Sequence, residues 1–122
     1  MSRTLDLHNR LRIFALLLGF ALSSSAFAYD PIDCLEDISK ADPGIVVGLA
    51  TKLCSGAWSP EPVKCYAVVP EFDKSIPRGI AIDLCAGSTS AENTIKCYVR
   101  AGDRGLIRGL ATTLCGARKQ EK

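Results

Sequence analysis

The residues best equipped for chemistry in this chain are six cysteines, Cys34, Cys54, Cys65, Cys85, Cys97 and Cys115, and their spacing narrows what that chemistry is. Taken two by two, the cysteines stand at nearly constant spacing, in the pattern C-x19-C, C-x19-C, C-x17-C, and alternate ones recur every 30 to 32 residues. There is no C-x-x-C, and the single histidine, His8, lies in the N-terminal leader, so the usual donor pattern of a zinc site is missing. An even number of cysteines behind an export signal reads instead as three disulfides formed in an oxidising compartment.

Other reactive groups are sparse. Asp33, Glu36 and Asp37 cluster within one turn of chain, and Glu71 lies close to Asp73. Paired carboxylates can exchange protons with a substrate, but on an amphipathic helix the simpler reading is a solvated face. Beyond the leader no histidine remains to act as a general base. The chain carries no nucleophile elbow, phosphate loop or dinucleotide fingerprint. It is therefore expected to be no enzyme and to need no cofactor or metal. Arg100, Arg104 and Arg108, with Lys96, Arg118 and Lys119, are candidates for a basic face that meets an acidic partner. Trp58 is a candidate anchor for a protein partner, or a cover for the junction between repeats.

The elements that must position these residues are written three times. Gly48 to Gly56, Gly79 to Gly87 and Gly109 to Gly116 are copies of one pattern. Into each runs a series of apolar residues four apart: Ile45/Leu49/Leu53, Ile76/Ile80/Leu84 and Leu106/Leu110/Leu114. That spacing predicts an amphipathic helix ending at a cysteine. Ahead of each copy lies a shorter helical stretch holding the other cysteine. The repeats run over about 30–57, 59–88 and 89–117, a period typical of stacked supersecondary units. The fold expected is all-α, with about six short helices in three tandem disulfide-stapled hairpins forming one domain over residues 29–122.

Local signals fix the expected helix ends. Asp30-Pro31 caps the first helix, Ser59-Pro60 opens repeat two, and Thr89 with Glu92 fits a capping box for repeat three. Asp42, Ser75 and Asp103 read as caps of the second helices, and Pro70 as the stop of the helix before it. Gly56, Gly87 and Gly116 follow the second helices, where left-handed closing residues belong. Gly48, Gly79 and Gly109 suggest a neighbouring helix passing close to the backbone, or an eased helix start.

An antiparallel hairpin brings its first and last turns together, which favours Cys34–Cys54, Cys65–Cys85 and Cys97–Cys115. The rival set joins neighbouring repeats through Cys54–Cys65 and Cys85–Cys97 and leaves Cys34 with Cys115. Sequence alone permits either.

Residues 1–28 have a basic start, an apolar core over Ile13 to Leu22 and a small-residue ending at Ala26-Phe27-Ala28. This is the pattern of a cleaved signal peptide, and its apolar core is too short to span a bilayer. The chain is expected to be periplasmic or secreted, with no transmembrane segment once the leader is removed. The remaining 94 residues balance 12 Lys+Arg against 12 Asp+Glu. The charge is nonetheless polarised, from −4 over residues 29–61 to +5 over residues 94–122. Net neutrality and the absence of basic–aromatic interleaving argue against nucleic acid. The function expected is an exported interaction or structural module of the cell envelope, its partner another protein. Head-to-tail self-association through the acidic and basic ends is a further expectation. A carrier of a small apolar ligand or lipid, or an inhibitor of an exported enzyme, is the alternative.

Overall fold

The computed structural model describes residues 27–117. The signal peptide expected over residues 1–28 lies almost wholly outside the described residues, as do Arg118 and Lys119. Among the described residues six α-helices follow in order: α1 (Pro31–Ala41), α2 (Val47–Cys54), α3 (Glu61–Phe72), α4 (Arg78–Cys85), α5 (Ala91–Asp103) and α6 (Arg108–Cys115). No strand occurs among the described residues. Each odd helix packs on the even helix after it, forming three hairpins. The odd helices also pack on one another in sequence, α1 on α3 on α5, and the even helices do the same. The result is a two-layer stack of three repeats.

The three disulfides are those an antiparallel hairpin favours. Cys34–Cys54, Cys65–Cys85 and Cys97–Cys115 bridge Cα atoms 5.5, 5.5 and 5.6 Å apart. Each closes a loop near 20 residues and contributes about 3 kcal/mol by restricting the unfolded chain. Their sum is comparable with the roughly 5–15 kcal/mol total stability of a small domain. Between them the apolar interior is thin: Ile38, Leu53, Val69, Ile82 and Leu84 are its fully buried aliphatic side chains.

Several helix ends differ from the sequence reading. The second helices begin later than expected, at Val47, Arg78 and Arg108, and their N-caps Val46, Pro77 and Ile107 make no side-chain cap. Asp42 and Asp73 instead close the first helices as C-caps, their carboxylates being drawn to longer-range partners described below. Asp103 is the last residue of α5. Ser90, not Thr89, caps α5 by accepting the Asn93 N–H at 3.2 Å. Asp30 does cap α1, in a reciprocal box with Asp33. Pro70 lies inside α3 rather than ending it; it sits one turn from the C-terminus on the exposed side, where only one ladder bond is lost. Gly48, Gly79 and Gly109 have open space where a Cβ would be, so no helix approaches them. They occupy the second position of their helices.

Gly56 and Gly87 take the left-handed conformation after α2 and α4, at φ +71° and +79°. Gly116 does not, and is required for a different reason. A Cβ there would lie 2.8 Å from the Thr112 carbonyl oxygen and 3.0 Å from that of Asp83, where α6 meets repeat two.

Candidate functional site

A polar contact fastens each repeat to the next, and it is built the same way twice. Asp42, at the end of α1, accepts the Tyr66 hydroxyl at 2.6 Å and the Arg78 guanidinium at 2.9 and 2.8 Å. Asp73, at the end of α3, accepts the Tyr98 hydroxyl at 2.7 Å and Arg108 at 2.7 and 2.5 Å. Tyr66 and Tyr98 directly follow the first cysteine of their repeats, while Arg78 and Arg108 stand seven residues before the second. Each aspartate therefore gathers one side chain from each helix of the following hairpin. A planar guanidinium fitted edge-on to a carboxylate fixes geometry as well as charge.

The electrostatics follow from this geometry. Arg78, and then Tyr66, hold the Asp42 carboxyl below its ordinary value. Arg108 does the same to Asp73, assisted by Tyr98. The tyrosines move the other way: burial, then the adjacent carboxylate, pushes Tyr98 up to about 12 and raises Tyr66 as well. A second link strengthens the joint between repeats two and three. Glu61 accepts the Ala91 N–H at 2.7 Å, capping α5 from the preceding repeat, and this contact lowers its pKa. Lys52 and Asp83 pair across the first joint at 2.5 Å, but both are half exposed, so that pair adds little.

The outer faces are the same surfaces with nothing against them. The residue before the second cysteine shows this best. Leu53 and Leu84 are completely buried by the following repeat, whereas Leu114 is 60 % exposed. Cys97 is partly exposed, while Cys34 and Cys65 are buried. On the opposite face, Val63 and Ile95 are buried against the preceding repeat, but their counterpart Ile32 is 63 % exposed. Val47, in the position of Arg78 and Arg108, is 82 % exposed.

Both outer faces also lack the polar joint. Repeat one has Leu35 and Val47 where the other repeats have tyrosine and arginine. In repeat three the turn between helices is one residue shorter, and Asp103 falls inside α5 as its last residue. Gly105 then turns the chain at φ +84°, donating to the Gly102 carbonyl at 2.9 Å while Leu106 donates to that of Ala101 at 3.1 Å. This glycine closure replaces the aspartate cap.

The basic residues singled out from sequence part company here. Arg108 is held in the joint by Asp73, and its Nη2 also approaches Ser75 at 2.5 Å. Arg100 and Arg104 face outward on repeat three, lining with Cys97, Ala101, Leu106 and Leu114 an open groove of about 380 Å³. Trp58, in the linker between α2 and α3, is 79 % exposed, so it does not cover the junction. Two of the three acidic residues of α1 serve local roles: Asp33 in the cap, and Asp37 in accepting the Tyr29 hydroxyl at 2.9 Å. No cluster of metal-ligating side chains occurs among the described residues.

Sequence reading missed the Asp–Tyr–Arg joint. Its signal was present in the matched spacing of Asp42/Asp73, Tyr66/Tyr98 and Arg78/Arg108, broken at Leu35 and Val47 in repeat one and at Arg104 and Gly105 in repeat three. No known family model, curated protein or solved structure matches the chain.

Proposed function

We propose that this is an exported, non-enzymatic module that binds another protein, or a structural component of the cell envelope, through the ends of its repeat stack. One observation carries the reading: the surface that buries Leu53 and Leu84 at the internal joints recurs around Leu114 and is left open. An apolar face of this kind, ringed by Arg100 and Arg104, has the make-up of a protein-binding surface. Exposed Trp58 offers an additional anchor away from the ends. The three disulfides and the lack of any membrane-spanning helix among the described residues are in keeping with a periplasmic or extracellular setting.

A second reading, carriage of a small apolar ligand or lipid, is favoured by the groove on repeat three. Its floor is Cys97, Ala101, Leu106 and Leu114, and two guanidinium groups could meet an acidic head. Affinity capture from an envelope extract, with mass spectrometry of bound proteins and lipids, separates the two. A stoichiometric protein lost from Leu114→Asp supports the binding module; a co-purifying lipid with no protein contradicts it.

A further inference from the structure

Both halves of the polar joint are missing at the outer faces, and they are missing together. A hairpin bringing tyrosine and arginine to repeat three would find Arg104 and Gly105 at the turn in place of the aspartate cap. Those donors would be desolvated without their carboxylate, which is costly. A hairpin with apolar residues in both positions fits instead, and repeat one, with Leu35 and Val47, is such a hairpin. We propose that a second copy of this chain stacks head to tail, seating the outer face of repeat one on the open face of repeat three. This rests on the reading that the stack ends bind protein, and it names the occupant.

The stacking register supplies an independent argument. Ala41 and Ala67 line the groove at the first joint, and Phe72 and Val99 line the one at the second. In each pair the first residue lies seven after the first cysteine of its repeat, and the other lies two after the first cysteine of the next. Continuing that register from repeat three into a second copy brings Arg104 to Glu36. Both side chains are exposed in the single chain, and their charges are opposite. Glu36 belongs to the end that carries −4, and Arg104 to the end that carries +5. Complementary ends of this kind steer association and reject the reversed pairings. The apolar contact joins Ile32 and Val47 of one copy to the face around Leu110 and Leu114 of the other, all four exposed as the chain stands. Such an interface is heterologous, so it propagates into a filament unless the rotation closes a ring.

The test is sedimentation velocity of the oxidised protein across a concentration series, with unchanged circular dichroism and disulfide map as the folding control for variants. The parent should grow in size with concentration and dissociate as salt is raised. Val47→Asp and Leu114→Asp should each be monomeric, because each spoils one face. An equimolar mixture of the two should form a one-to-one dimer and nothing larger, since each retains the face the other lacks. Arg104→Glu should weaken assembly, and adding Glu36→Arg to the same chain should restore it. A parent that stays monomeric up to its solubility limit overturns the proposal. So does either single variant that still dimerises, which would indicate pairing through like faces. Self-association by a chain ending at Ala117, but not by the full chain, would assign the face to residues 118–122 instead. If the parent is monomeric yet Leu114→Asp loses a different captured protein, end-on binding survives and self-stacking does not.

Discussion

Internal joints and outer faces use the same positions of the same repeat, yet differ in chemistry as well as in cover. Inside the stack, Asp42 and Asp73 each hold a tyrosine and an arginine from the next hairpin. Outside it, Leu35 and Val47 stand in the donor positions, and the Gly105 turn replaces the acceptor. A leucine that is core in one repeat is surface in another, with no change in the residue itself. Position in the stack, rather than residue type, decides what a side chain contributes here.

The largest effect should come from that leucine. Leu84→Ala removes a fully buried side chain and should cost about 2–5 kcal/mol. Leu114→Ala, at the same place in repeat three, should stay within about 0.5 kcal/mol in the single chain. Urea denaturation at a concentration too low for association would measure both, and equal costs would break the comparison.

Next come the joints. Asp42→Ala and Asp73→Ala should each cost about 2 kcal/mol, because the tyrosine hydroxyl and arginine lose a shared charged acceptor. Both aspartates have depressed folded-state pKa values. The unfolded chain therefore takes up protons first as pH falls. The stabilisation is whole above the unfolded carboxyl value near 3.9 and is lost below it. Melting temperature should fall more steeply below about pH 4 in the parent than in the double Asp→Ala variant. An unchanged slope would show that the joints contribute little.

Opposite in sign to each other are the effects at a pair of glycines. Gly116→Ala should destabilise by about 1–3 kcal/mol, since the new methyl meets two backbone oxygens that cannot swing aside. Gly48→Ala, in open helical space, should stabilise by up to about 1 kcal/mol. Thermal melts of the two variants should move in opposite directions.

The hairpins were legible because their signals are local: cysteines at a fixed period, apolar residues four apart, and Gly56 and Gly87 after the helices they close. The joint was not, because it links residues 24 to 36 positions apart whose meeting depends on how hairpins stack. Asp42 illustrates the difficulty. Beside Pro43 and Gly44 it has every local mark of a helix cap, and it does accept the Gly44 N–H at 3.2 Å. Its stronger partners, Tyr66 and Arg78, belong to the next repeat. Pro70 was misread for a related reason, since local chemistry marks it as a stop while packing on both neighbouring repeats carries α3 past it. The open faces became recognisable only by comparing the burial of equivalent residues.

That each hairpin is closed by its own sulfur bridge underlies every equivalence drawn between repeats. A lysine or arginine lies between every consecutive pair of cysteines, so trypsin places all six on separate peptides. A tryptic map of the unreduced protein should show Cys34 joined to Cys54, Cys65 to Cys85 and Cys97 to Cys115. A peptide joining Cys54 to Cys65, or Cys85 to Cys97, would contradict the account.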